Sequence, residues 1–295
     1  MKNAGKSACL LLILLVSAFC KTLAAEIFAD SHIHYNSDQR DESTIEEVVD
    51  ILRAHDVGLS IVSSTPAELA LELRAKGGDW IIPFFSPYLH ELGKQDWYKD
   101  EQVVVKAEQG LSSGQYYGIG EVHFMSGFKP RTDNPIFLQL LKLAAKYDVP
   151  MLIHIDSGNE QKFLRLCVAN PGIRMIFAHA GGNLLPSHIE KILSRCDNAW
   201  IDLAARDPWR YGRISKSDHT LLPEWKQLVL RYPERFITGT DPVWKVTRGQ
   251  TWDSNDEGWT HYQELYDFHW SWLNDLPGDV RKKIAWENTQ QLLKK

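Results

Sequence analysis

Val149-Pro150-Met151-Leu152-Ile153-His154-Ile155 and, one helix-length later, Arg174-Met175-Ile176-Phe177-Ala178-His179 decide the fold. Met151-Leu152-Ile153 and Met175-Ile176-Phe177 are continuously apolar, the pattern of parallel strands covered on both faces rather than of a sheet with one wet side. Working outward, the same kind of β-branched and aromatic run recurs at Ile27 to His34, Leu59 to Ser64, Trp80 to Ser86, Tyr117 to Phe124, Ala199 to Ala204 and Phe236 to Asp241. Each run is followed by a longer stretch with helical spacing. Eight alternations of strand and helix predict a closed parallel (β/α)8 barrel, the TIM-barrel class of α/β fold, usually about 250 residues long. The competing open doubly wound sheet lacks its Gly-x-Gly-x-x-Gly turn after the first strand.

Local signals agree with this division. Ser43-Thr44-Ile45-Glu46 resembles a capping box, and Asn134-Pro135 places proline at a first helical position. No linker divides the chain, so residues 26–295 are expected to form one domain. One departure from a minimal barrel follows the eighth strand, where Val243 to Trp272 holds Trp244, Trp252, Trp259, Trp270 and Trp272, a tryptophan-rich insertion.

Residues 1–25 read differently. Lys2 and Lys6 precede an apolar run from Ala8 to Phe19, followed by Thr22-Leu23-Ala24-Ala25, the layout of a signal peptide. The run is short of the ~20 residues of a membrane-spanning helix. Cleavage near Ala24 or Ala25 is expected to give a periplasmic or secreted protein with no membrane attachment. Acylation at Cys20 is the weaker alternative, because Phe19 fits poorly before a lipoprotein cysteine. The remaining chain carries 30 basic and 38 acidic residues, a formal charge of −8, which argues against nucleic acid as a partner. Cys167 and Cys196 end consecutive β/α units, and both a disulfide and two buried thiols remain open.

In a parallel barrel the active site is built where the strands end. Five ends carry histidine or carboxylate: Asp30-Ser31-His32-Ile33-His34, Gly120-Glu121-Val122-His123, Ile153-His154-Ile155-Asp156, Ala178-His179-Ala180-Gly181-Gly182 and Gly239-Thr240-Asp241-Pro242. Alternation along a strand turns His32 and His34 to the same side, where they can grip one ion. Imidazole and carboxylate are preferred ligands of zinc and similar divalent ions. His-x-His alone is weak evidence, since two ordinary polar residues can fall in that spacing. Convergence of five strand ends is specific.

This set, in this order and on these strands, resembles the amidohydrolase superfamily over essentially the whole mature chain. Phe177-Ala178-His179-Ala180-Gly181-Gly182 and the closing Ile284-Ala285-Trp286-Glu287-Asn288-Thr289 look like the branch that contains aminocarboxymuconate-semialdehyde decarboxylase and many TIM-barrel hydrolases. The resemblance implies a metal-dependent hydrolase in which His32, His34 and Asp241 hold one ion and His154 is a further ligand. His179 would bind a second ion, touch the substrate or act as a base. Glu121 stands where some members place a carboxylate bridging two metals, a departure from the one-metal pattern of the decarboxylases. A salt-bridged barrel carboxylate is the structural alternative for Glu121. The implied cofactor is one or two divalent ions, zinc first and manganese second.

Metal-activated water is expected to cleave a lactone, ester, amide or phosphoester, with Asp241 moving the proton. Decarboxylation of an unsaturated or aromatic acid, and a catalytically silent binding protein, are the other readings. Ala205-Arg206-Asp207-Pro208-Trp209-Arg210 follows strand seven, and Arg206 and Arg210 could clamp a small anionic substrate. Solvated loop charge, or an Arg206–Asp207 pair stiffening the loop, explains them equally well. His123 and Trp244 are secondary candidates for substrate contact. Trp259, Tyr262, Tyr266 and Trp270 fall at helical spacing and suit a packed helix or a homodimer face as well as a lid.

Overall fold

In a computed structural model, residues 27–124, 130–155, 159–212, 214–243 and 257–294 are described. Eight parallel strands pair in sequence order: β1 (Phe28–Ile33), β2 (Val57–Ser63), β3 (Ile81–Phe85), β4 (Gly118–Phe124), β5 (Met151–Ile155), β6 (Met175–Phe177), β7 (Ala199–Asp202) and β8 (Phe236–Ile237). The ring is closed beyond the regular part of β8. Ser31 N donates to Thr238 O (2.9 Å) and Asp241 N donates to His32 O (2.7 Å), tying the segment after β8 to β1.

The helices alternate with the strands: α1 (Ile45–Ala54), α2 (Glu68–Gly77), α3 (Gln102–Ser112), α4 (Pro135–Tyr147), α5 (Glu160–Ala169), α6 (Pro186–Leu193), α7 (Pro223–Arg231) and α8 (Tyr262–Leu273). The C-terminal segment adds α9 (Gly278–Lys282) and α10 (Asn288–Leu293). The capping box of α1 is Thr44 with Glu47, one residue later than the Ser43 and Glu46 expected from the sequence. Thr44 Oγ1 accepts from Glu47 N, and Glu47 Oε2 accepts from Thr44 N (2.8 Å). At α4 the expectation held: Asn134 caps Ile136 N and Phe137 N, with Pro135 first in the helix.

Apolar side chains leave the sheet on both faces, as continuous hydrophobic strands require. Outward-facing Met151, Ile153, Met175 and Phe177 pack with the helices, while Ile61, Phe84, Leu152, Ile176 and Ile237 fill the barrel interior together with Leu292 of α10. Arg174, just before β6, donates to Leu292 O (2.7 Å), so α10 closes the end of the barrel where the strands begin. The opposite end, where strands one, four, five, six and eight carry their histidines and carboxylates, is left for chemistry.

Cys167, near the end of α5, and Cys196, after α6, are joined in a disulfide with Cα atoms 6.0 Å apart. Among the described residues no helix is long and apolar enough to cross a membrane. The leader, Cys20, Trp244 and Trp252 lie outside the described residues. Within the described part of the tryptophan-rich stretch, α8 is the helix of the eighth β/α unit. Trp259 stacks on Tyr262 at 5.6 Å, and Tyr266 meets Phe28 of β1 edge-on at 5.2 Å.

Candidate metal centre

Strand β1 sets the first two ligand candidates, and alternation does bring their rings together: His32 Nε2 and His34 Nε2 stand 3.1 Å apart. The far nitrogen of each ring is already committed. His34 Nδ1 donates to Ser63 O (2.6 Å), His179 Nδ1 to Ala204 O (3.1 Å), and His32 Nδ1 to the buried carboxylate of Asp202 (2.6 Å). A carbonyl oxygen only accepts, so these Nδ1 atoms carry the hydrogen and the Nε2 lone pairs turn inward. Two inward Nε2 atoms at 3.1 Å repel unless positive charge, a proton or an ion, lies between them. This is the orientation that outer-shell acceptors impose on metal-binding histidines, and the donor set fits a divalent ion of the zinc or manganese kind.

Glu121 stands at the centre. Gly120 has φ +142°, and a Cβ there would lie 2.5 Å from Leu152 O, so only glycine lets β4 approach β5 closely enough to deliver the carboxylate. Its oxygens lie 2.9 Å from His154 Nδ1, 3.1 Å from His123 Nε2, 3.3 Å from His179 Nε2, 3.4 Å from His34 Nε2 and 3.6 Å from His32 Nε2. Three groups have ligand atoms close enough to share an ion: His32, His34 and Asp241; His32, Glu121 and His179; Glu121, His123 and His154. Glu121 belongs to two of them, the placement a bridging carboxylate needs.

Burial would raise the Glu121 pKa, but the surrounding imidazoles of His123, His32 and His154 reverse it and hold the carboxyl well below its usual range. For His32, burial works downward and is outweighed by the Glu121 and Asp202 carboxylates, so in the protein alone its pKa stands well above the ordinary imidazole value, and an ion at Nε2 would take the place of that proton. His179 and His123 are pushed down by burial, His123 to about 3, and stay neutral. Tyr88 Oη accepts from His123 N (2.8 Å) and donates to His123 Nδ1 (2.6 Å), which leaves Nε2–H to donate to Glu121. In this arrangement His123 steadies the carboxylate.

Asp241 lies past the regular end of β8 with φ 50°, and His179 past the end of β6 with φ 55°, so neither is a strand residue as the sequence suggested. Left-handed backbone at non-glycine residues is uncommon and gathers at functional sites; Ala180 and Ala205 share it here. Asp241 Oδ1 is 3.5 Å from His34 Nε2 and has no hydrogen-bond partner among the described residues. Burial raises its pKa, and His32, His179 and Arg210 more than offset this, so the carboxyl is held below its usual value.

The loop arginines are placed unequally. Arg210 Nε donates to Asp207 (2.7 Å), its Nη2 donates to Thr240 O (2.6 Å), and its Nη1 meets Asp241 O. The aspartate pairing considered for Arg206 is therefore made by Arg210, which clamps the backbone carrying Asp241. Arg206 points away from the centre, across the ring of Trp225 (4.8 Å). The expected contact from Trp244 lies outside the described residues.

Sequence reading missed several members of the site. Asp202 ends β7 as the other acids end their strands, and that position was its signal. Asp30 accepts from Thr240 N, Thr240 Oγ1 and Tyr262 Oη, bracing β1 against the segment after β8. Trp259 Nε1 donates to His34 O (3.1 Å), so the aromatic helix region supports the His-x-His strand from behind. Tyr211 packs its ring 4.9 Å from His179 and 6.0 Å from His154, forming a wall of the site. Nothing in its spacing announced that role.

A closed eight-stranded barrel with imidazoles and carboxylates gathered at its C-terminal rim defines the class: a (β/α)8 protein with a candidate metal centre. The amidohydrolase family model matches residues 98–295, and the chain belongs to that family, whose superfamily members are enzymes. A search of curated proteins gives no match. Among solved structures, dihydroxybenzoic acid decarboxylase from Polaromonas sp., with bound manganese and 2-nitroresorcinol, is similar at TM-score 0.58 and 13% identity. The similarity covers 90% of this chain and 97% of that one. A probable 2-pyrone-4,6-dicarboxylic acid hydrolase from Acinetobacter baumannii is similar at TM-score 0.51 and 12% identity, over 90% and 98% of the two chains. An amidohydrolase from Burkholderia multivorans with bound zinc is similar at TM-score 0.54 and 13% identity, over 90% and 99%.

Proposed function

We propose that this chain is a metal-dependent hydrolase that cleaves a lactone, ester, amide or phosphoester of a small substrate. The observation that carries the reading is the pair of inward Nε2 atoms of His32 and His34, 3.1 Å apart, with the unpartnered Asp241 Oδ1 3.5 Å from His34. His32, His34 and Asp241 would hold one ion, with His154, His179 and Glu121 completing this or a second position. Zinc is the first choice and manganese the second; both occur in proteins of this fold named above. Such an ion supplies Lewis acidity, acidifying water and polarising a carbonyl or phosphoryl oxygen.

The chain's own residues do the rest. Asp241 is ionised at neutral pH, so Oδ1 can accept a proton from water and deliver it to the leaving group. Arg210 fixes the Asp241 backbone, and His123 with Tyr88 fixes Glu121. Tyr211 packs beside His179 at 4.9 Å and would exclude solvent on that side. The leader-like N-terminus and the Cys167–Cys196 disulfide support an exported enzyme.

The test is a screen of lactones, esters, amides, phosphoesters and unsaturated acids with metal-replete protein and its Asp241→Asn variant. A hydrolysable substrate is expected, with turnover falling about 10²-fold or more in the variant, the scale of general acid–base groups. Release of carbon dioxide from an acid substrate without any hydrolysis would replace this reading with decarboxylation.

A further inference from the structure

A cavity of about 650 Å³ opens between the turn after β6, the loop after β7 and helix α7, outside the metal centre. Its walls mix apolar side chains, Leu184, Leu185, Leu222, Leu228 and the ring of Trp225, with polar ones such as Asn183 and Gln227. Arg206 is one of its lining residues, and its side chain is only 2% exposed. The surroundings of the guanidinium are cavity residues. Nη2 donates to Leu184 O (3.1 Å), Cζ lies 4.8 Å from the centre of the Trp225 ring, and it lies 3.8 Å from where a side chain on Gly212 would begin.

What distinguishes this arginine is what it lacks. Nε and Nη1 have no hydrogen-bond acceptor among the described residues. No carboxylate draws its pKa upward, and burial alone pushes it down to about 10. Its neighbour Asp207 is taken by Arg210. The other charges that line the cavity do not supply the missing partner: Arg231 pairs with Glu190, and Glu224 sits exposed in the first turn of α7. A buried guanidinium with two unpaired, solvent-shielded donors is expensive to leave unsatisfied, whereas a planar carboxylate that a shift of the side chain admits satisfies it with charge-assisted hydrogen bonds.

We propose that this cavity is a second binding site, separate from the metal centre, for a small carboxylate with an apolar body. The carboxylate meets Arg206 at the floor, and the apolar body lies against Trp225 and the leucines. A charged head beside Trp225 and the leucines selects an organic acid over a free inorganic anion, which would leave those apolar side chains wet. The chain links the site to the metal centre: Ala204 O accepts from His179, and Ala205 O from Tyr211 N, immediately before Arg206.

Leucine-methyl NMR of the metal-replete protein, titrated with benzoate, benzamide and inorganic phosphate, tests the assignment. Benzoate should shift the methyls of Leu184, Leu222 and Leu228 in a saturable way, while benzamide and phosphate shift them at least tenfold more weakly. Arg206→Met should abolish the response. Arg206→Lys, which keeps the charge, should retain a weakened one and guards against misreading a folding defect. The His32→Ala/His34→Ala variant should leave these shifts intact, which separates this site from benzoate held at the metal centre. Unmoved methyls in the wild type, equal responses to benzoate and benzamide, or an unchanged response in Arg206→Met would each overturn the proposal. A stronger response to phosphate would overturn the organic-acid assignment.

Discussion

Asp202→Asn probes the metal centre from behind. Asp202 is fully buried, with Oδ2 accepting from His32 Nδ1 (2.6 Å) and His179 N (3.4 Å), and Oδ1 accepting from Ala204 N (2.7 Å). An asparagine of the same size has one oxygen and one NH2 group, and every partner here is a donor. If the NH2 faces Ala204, two N–H groups collide. If it faces His32, the imidazole must move its hydrogen to Nε2, and the lone pair aimed at His34 is lost. Either way His32 is a poorer ligand. Loss of an outer-shell acceptor commonly lowers metal affinity or activity 10- to 100-fold, or about 1.4 to 2.7 kcal/mol. A metal titration against a competing chelator should show affinity reduced by that factor, with circular dichroism unchanged. Affinity and turnover both within about twofold of wild type would refute the argument that Asp202 sets the His32 tautomer.

The disulfide closes a loop with a sequence separation of 29, for which the chain-entropy relation gives about 3 to 4 kcal/mol. Cys167→Ser with Cys196→Ser should lower unfolding free energy by that order in urea titrations; an unchanged midpoint would show that the bond contributes nothing. Burial depresses the pKa of His269, in α8, to about 4 from an ordinary 6.5. The unfolded chain therefore takes up a proton that the folded chain refuses, and stability falls as pH drops from 6.5 to 4, by about 3 kcal/mol in total. Replacing His269 with Phe should flatten that part of the stability profile, as read by thermal melts across the range. A profile of unchanged slope would remove His269 from the acid response.

The barrel was legible because its signal is repetitive: continuous apolar runs such as Met151–Ile155 and Met175–Phe177 alternate with helices, and each unit reinforces the next. The ligand candidates were legible for a related reason, since polar residues at strand ends have one place to point. His32, His34, Glu121, His154, His179 and Asp241 do converge. Boundaries were less legible at β6 and β8, where the sequence stays strand-like while His179 and Asp241 turn into left-handed backbone. That conformation is fixed by tertiary hydrogen bonds such as Asp241 N to His32 O, which no local pattern encodes. Long-range pairing also divides the two arginines: Arg206 and Arg210 share a loop and a chemistry, yet Arg210 is bound to Asp207 and the Asp241 backbone while Arg206 faces a separate cavity. Asp202 was overlooked because it touches His32 from outside the ligand set, a contact visible only once β7 lies beside β8 and β1.

Metal content is the measurement that bears most directly on the central claim. Protein purified without chelator should contain one or two equivalents of zinc or manganese by elemental analysis. The His32→Ala/His34→Ala variant should lose metal and activity together, with a lower melting temperature, because an ion that binds only the folded state stabilises it. A wild-type protein that turns over substrate with no metal, or a double variant with full occupancy, would contradict the account.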